Sequence, residues 1–134
     1  MIYNIELLNE KDVREYSDLL YQMNNYRKEI FANNITLDRN IFIIKDKNNK
    51  IISSAKLLIE PKLYEGVGHI EDVVTDKNHR GKGYGKMLIQ YLIRKAFDEE
   101  NCYKVVLSCD DKINDFYIRC GMRRTGSSFS VYKK

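Results

Sequence analysis

Between an apolar run that closes at Thr75 and a helical pattern that follows stands His79-Arg80-Gly81-Lys82-Gly83-Tyr84-Gly85-Lys86. Three alternating glycines weaken both strand and helix, so they mark a turn from one element into the next. A glycine backbone can also approach a ligand closely. The helix that follows begins with unpaired N–H groups and the positive end of its dipole. With Arg80, Lys82 and Lys86 interleaved, the stretch reads as a cradle for a pyrophosphate.

Two phosphate loops are excluded by spacing. A P-loop ending at Gly85-Lys86 needs glycine where Arg80 stands and a hydroxyl residue where Met87 stands. A dinucleotide fingerprint needs G-x-G-x-x-G, whereas the glycines here are Gly81, Gly83 and Gly85. A plain strand-to-helix turn would explain the glycines but not the three cations among them.

The surrounding pattern supplies the scaffold. Ile2 to Leu8 reads as a strand, and Asn9-Glu10-Lys11-Asp12 as a cap with an acidic first turn. Val13, Tyr16, Leu19, Leu20 and Met23 recur at helical spacing, and Tyr26 to Phe31 reads as a second short helix. Asn40 to Lys45 and Ile51 to Ile59 form a hairpin through the turn residues Asp46 to Lys50. A polar loop from Glu60 to Gly66 surrounds Pro61, the only proline, and Val67 to Thr75 is the next strand. After the glycines, Leu88, Ile89, Leu92, Ile93 and Ala96 make one apolar helical stripe, with Asn101 as a candidate C-cap. Lys104 to Cys109 is a strand, Ile113 to Cys120 a short helix stopped by Gly121, and Phe129 to Tyr132 a last strand. If Val67–Thr75 and Lys104–Cys109 are neighbours, the helix between them makes them parallel. The expected class is α+β (mixed α/β), a mixed sheet with helices on both faces.

At 134 residues the chain is expected to be one domain, residues 1–134, with a net charge of +4 that permits an anionic ligand without demanding nucleic acid. The basic cluster is short and has no recognisable base-stacking platform, so no nucleic-acid partner is expected. No stretch approaches the ~20 apolar residues of a membrane helix, and Met1 to Glu6 lacks the layout of a signal peptide. The three cysteines, Cys102, Cys109 and Cys120, form no C-x-x-C pair, which suggests a reducing, cytoplasmic setting and buried thiols. His69 and His79 are too few and too separated to suggest a metal site, so none is expected.

Arg80-Gly81-Lys82-Gly83-Tyr84-Gly85 fits the Arg/Gln-x-x-Gly-x-Gly/Ala coenzyme A motif of the GNAT acetyltransferase superfamily, which the chain resembles. Gly68-His69-Ile70-Glu71-Asp72, Cys102-Tyr103-Lys104 and Phe116-Tyr117-Ile118-Arg119-Cys120-Gly121 resemble, in order and spacing, the glucosamine-6-phosphate N-acetyltransferase branch over residues 51–122. The resemblance implies a GNAT-type central sheet, splayed beside the glycine loop. It also implies direct acetyl transfer from acetyl-CoA to a primary amine, with glucosamine 6-phosphate as the first choice of acceptor. Another small amine, a protein amine, or a non-catalytic coenzyme A-binding role are the alternatives. A homodimer is expected on the same ground.

Residue by residue, the resemblance implies that acetyl-CoA is held by Val73, Val74 and Thr75, by Arg80, Gly81, Lys82, Gly83, Tyr84, Gly85 and Lys86, and by Asn114 and Tyr117. A backbone N–H near Val73 would serve the oxyanion, and Tyr117 the leaving thiolate. Glu71 and Asp72 are placed at the amine. As strand neighbours they face opposite ways unless a bulge turns one of them. Tyr103, Lys104, Ser108, Lys62 and Lys133 are the candidates for an anionic acceptor. The sequence departs from the branch at Ser108, where an acid is usual, at Ile113, where asparagine is usual, and in lacking a final arginine.

Overall fold

The computed structural model describes residues 4–24 and 40–133; the helix expected at Tyr26–Phe31 lies outside them. The elements are β1 (Ile5–Leu7), α1 (Val13–Asn24), β2 (Ile41–Lys45), β3 (Ile51–Pro61), β4 (Gly66–Thr75), α2 (Tyr84–Asp98), β5 (Cys102–Val106) and α3 (Asn114–Arg119). Single 3-10 turns precede α1, α2 and α3. The strands lie in sequence order, all antiparallel except the parallel β4–β5 pair on either side of α2.

β2 reads as a continuous apolar run because both of its faces are covered. Phe42 and Ile44 face a core shared with Leu88, Ile89 and Leu92 of α2. Ile41 and Ile43 face the opposite core, with Tyr16, Leu19 and Leu20 of α1. Leu88, Ile89 and Leu92 are 0% exposed, and each such burial is worth about 1.5–3 kcal/mol relative to exposure. The β2–β3 turn works as its sequence suggests. Asp46 Oδ1 accepts from the Asn48 and Lys50 N–H groups, and Asn49 takes the left-handed φ of 66°.

Two irregularities in β4 position the site. Opposite β3 the register passes from Ser54↔Val74 to Lys56↔Glu71, so Asp72-Val73 bulges against Ala55, with Asp72 at φ 53°. Against β5 the pairing stops at His69↔Val106, while β4 runs on to Thr75. The two parallel strands therefore part, leaving the β5-facing edge of Ile70 to Thr75 without a ladder partner among the described residues.

Three expectations need correcting. Glu60-Pro61 ends β3 rather than opening a loop, and the connection is a tight turn with the Lys62 N–H on the Glu65 carbonyl at 3.2 Å. β5 stops at Val106, which leaves Cys109 exposed rather than buried. Phe129 to Tyr132 is not a strand, and Phe129, Val131 and Tyr132 are 96%, 95% and 86% exposed. Alternation of apolar residues encodes a face, not a partner strand, and none of the described residues pairs with this segment.

Candidate active site

The glycine loop grows directly out of the end of β4. Asp76 closes the strand and caps the turn Lys77–His79, its carboxylate accepting from the Asn78 N–H at 3.2 Å. Arg80 turns back, and its Nε donates to the Thr75 carbonyl at 3.0 Å. Gly81 and Gly83 then take φ of 80° and 89°, values that glycine alone adopts freely, with no atom within 4 Å of where a Cβ would sit. α2 begins after Gly83 with no side-chain cap, its first ladder bond running from Met87 N–H to Gly83 carbonyl at 3.0 Å. The N–H groups of Gly85 and Lys86 thus point out of the helix end toward the loop. Arg80, Lys82 and Lys86 are all exposed around it. Backbone donors, a dipole and three exposed cations around one helix end fit a pyrophosphate.

Gly85 serves a different need. A Cβ there would sit 3.1 Å from the Phe116 ring and 3.3 Å from Thr75 Oγ1. The end of β4, the start of α2 and α3 therefore meet at this one residue. Phe116 stands edge-on to Tyr117, with ring centroids 4.9 Å apart. Gly121, at φ 96°, stops α3, and the Met122 N–H closes onto the Tyr117 carbonyl at 3.1 Å. Tyr117 is 9% exposed, and among the described residues no hydrogen bond engages its hydroxyl. Burial, helped by the Cys109 and Cys120 thiols, pushes its pKa up to about 12. It is a phenol that keeps its proton at neutral pH.

On β4, Glu71 and Asp72 are both exposed and Val73 is half-buried, while Val74 packs into the α1-side core. The bulge at Asp72 breaks the strict alternation, so both carboxylates reach solvent beside the diverging edge. Thr75 Oγ1 is fixed by Ser53 Oγ at 3.0 Å.

A groove of about 1080 Å³ runs between β5 and the segment after α3. Tyr103, Lys104, Ser108, Asn114 and Tyr117 line it, and so does Arg123, which the sequence reading passed over. Lys104 Nζ lies 5.6 Å from the centroid of the Tyr103 ring. Ser108 Oγ is 3.1 Å from Ser128 Oγ, and the Cys109 thiol donates to Asn114 Oδ1 at 3.5 Å. Lys62 and Lys133 do not line this groove. Lys62 is engaged by Glu60 at 3.0 Å, and Lys133 lies in exposed chain.

Two polar clusters were not visible in the sequence. His69 Nε2 donates to Glu60 Oε1 at 2.9 Å, and this bond, with Lys62, holds the Glu60 carboxyl below its usual value. Asp76, 4% exposed, gathers Gln22 and His79 at 2.9 and 2.8 Å. Each joins residues on different elements, which no local motif can announce.

The model of the acetyltransferase (GNAT) family matches residues 3–122. Glucosamine 6-phosphate N-acetyltransferase of Schizosaccharomyces pombe is 36% identical over 96 residues, which is 69% of this chain and 86% of that protein. The enzyme of the same name from Trypanosoma brucei brucei is 46% identical over 77 residues, 55% of this chain and 52% of its own length. The crystal structure of glucosamine-6-phosphate N-acetyltransferase from Arabidopsis thaliana superposes with a TM-score of 0.84 at 30% identity, covering 100% of both chains. The matches span only about half to two thirds of several curated relatives. The parted β4 and β5, the glycine loop and the family match agree: the chain belongs to the acetyltransferase (GNAT) family.

Proposed function

We propose that the protein transfers the acetyl group of acetyl-CoA to the amine of glucosamine 6-phosphate. The observation that carries this is the junction at Gly85, where Thr75 of β4 and Phe116, next to Tyr117, both close on the start of α2. One residue thus links a pyrophosphate cradle, an unpaired strand edge and a buried phenol. The names of the similar proteins supply the acceptor.

In this reading the N–H groups after Gly83, with Arg80, Lys82 and Lys86, hold the pyrophosphate. The acyl-pantetheine arm pairs with the free edge of β4, and Asn114 lies along its path. The Val73 N–H faces the acetyl oxygen, where charge develops. Glu71 and Asp72 receive the amine. An amine of pKa ~8 has an appreciable neutral fraction at pH 7, so no strongly shifted base is needed. One proton leaves the ammonium before attack. The nitrogen lone pair forms the C–N bond, and the tetrahedral intermediate collapses with loss of the C–S bond. A second nitrogen proton is lost, and the thiolate takes up one proton. Tyr117, with a pKa of about 12, cannot give its proton outright to a thiolate whose thiol has a pKa near ~8.5. It stabilises the leaving sulfur by hydrogen bonding. Tyr103, Lys104 and Ser108 border the room for the sugar phosphate. Homodimer formation, through the exposed chain after α3, belongs to the same proposal, as does a cytoplasmic setting.

The test is an acceptor panel with acetyl-CoA: glucosamine 6-phosphate, glucosamine, a polyamine and a lysine peptide. Turnover of glucosamine 6-phosphate at least tenfold above the rest supports the proposal. Equal or better turnover of any other amine overturns the acceptor. Coenzyme A binding with no turnover overturns catalysis.

A further inference from the structure

We propose that Asp76 and Gln22 are positioning residues for the pyrophosphate loop, setting the affinity for coenzyme A from outside the binding surface. The inference rests on the reading of the loop as the coenzyme A site.

Asp76 is the last residue before the loop turn, and it is buried. Its Oδ1 accepts from Gln22 Nε2 at 2.9 Å. Its Oδ2 accepts from His79 Nδ1 at 2.8 Å and from the Asn78 N–H at 3.2 Å. Its N–H donates to the Ile52 carbonyl, and its carbonyl accepts from the His79 N–H, both at 2.8 Å. Gln22 is doubly used, because its Oε1 accepts from the Lys77 N–H at 2.9 Å. The turn Lys77–His79 is therefore pinned to α1 and β3 as well as to itself. The His79 ring continues the chain of contacts, tilted against Tyr84 of α2 with centroids 6.3 Å apart.

A turn does not need this. Asp46 and Asp110 cap turns of the same chain by the same side-chain-to-backbone bond, unburied and with no partner on another element among the described residues. Burying a carboxylate is costly unless its bonds are complete. The extra expense falls next to a glycine segment where Gly81 and Gly83 take left-handed φ and face open space where a Cβ would stand. A glycine-rich loop samples more backbone conformations than other chain and loses that freedom when a ligand binds it. Fixing both of its ends beforehand lowers that cost and tightens the complex. Asp76 and Gln22 fix the entry, and α2 fixes the exit.

The variant Gln22→Met keeps the length of the side chain and loses both hydrogen bonds. Asp76→Asn keeps one acceptor oxygen. The dissociation constant for coenzyme A by calorimetry, kcat and both KM values, and the thermal midpoint would be measured on the intact chain. A dissociation constant and an acetyl-CoA KM raised roughly tenfold, with kcat and the amine KM within twofold, support the proposal. A constant within twofold of the unaltered protein in Gln22→Met, whatever the thermal midpoint, overturns it. So does a fall in kcat with a rise in both KM values, which marks a general disturbance. Failure of the unaltered protein to bind coenzyme A would instead overturn the reading of the loop.

Discussion

The Phe116 ring lies 3.1 Å from the point where a Cβ on Gly85 would be. That distance leaves no room for even a methyl group unless the ring moves by a few tenths of an ångström. The neighbour on the other side, Thr75, is held by Ser53 and offers little relief. Gly85→Ala should therefore push Phe116, and through their edge-on contact Tyr117, away from the end of β4. The expected cost is about 1–3 kcal/mol of stability, as for other overpacked sites. In urea unfolding the midpoint falls, and kcat falls with it because the phenol is displaced. A variant with unchanged kcat would show that Phe116 yields without disturbing Tyr117.

Tyr117→Phe keeps the ring and its packing and removes one hydrogen-bond donor from the leaving sulfur. A loss of about 10²–10³ in kcat is expected, the scale of one donor at a developing charge, with coenzyme A affinity unchanged. Because the phenol pKa is about 12, Tyr117 should give no limb to the pH–rate profile below pH 10. The sign is that of a group kept neutral by burial. Stability is full below pH 10 and falls as pH rises toward 12, where the unfolded chain ionises first. Ultraviolet titration of the phenolate band should show one tyrosine, missing in the variant, that ionises last. A rate limb that disappears with Tyr117 would contradict its role as an unionised donor.

The sequence made the glycine turn and the helix after it legible because the necessary signals are local. Alternating glycines with cations need no partner to be recognised, and the helical stripe from Leu88 to Ala96 follows at once. The two-sided burial of β2 is similarly written in consecutive apolar residues. What escaped is made by contact between elements. The bulge at Asp72 depends on how β4 meets β3, and the Gln22–Asp76 bond joins residues 54 apart. The end of the chain was misread because alternation at Phe129 to Tyr132 implies a strand only if some edge receives it. The groove beside β5 shares this problem. Arg123 enters it only through the path the chain takes after Gly121.

The buried Asp76 gives the protein an acid-sensitive link. Burial alone would raise its pKa, but the bonds from Gln22, His79 and the Asn78 N–H, with the charge of Lys50, bring it from 3.8 to about 2. A depressed carboxylate contributes stability above its unfolded pKa and loses it as pH falls through its folded pKa. The shift corresponds to about 2 kcal/mol, lost between roughly pH 4 and pH 2. In Asp76→Asn this part of the acid-unfolding curve should flatten, with lower stability at neutral pH. Denaturant unfolding at pH 7, 4 and 2 checks it. An equal pH dependence in both proteins would show that other carboxylates carry the acid limb.

Lys62 and Lys104 make opposite claims on an anionic acceptor, and their surroundings separate them. Lys62 is spoken for, since its ammonium lies 3.0 Å from Glu60, which His69 also engages. Lys104 lines the groove with Tyr103 and Tyr117, and among the described residues it meets no carboxylate. A free cation gains more from a phosphate than one that must first give up a partner, and a charge-assisted hydrogen bond is worth about 1.5–3 kcal/mol. Lys104→Ala should raise the KM for glucosamine 6-phosphate by roughly 10-fold to 100-fold, and Lys62→Ala by less than threefold. Glucosamine, which lacks the phosphate, provides the control, because its weaker turnover should be unchanged in both variants. If Lys62→Ala is the more damaging, the phosphate sits at the β3–β4 turn and the groove beside β5 holds something else.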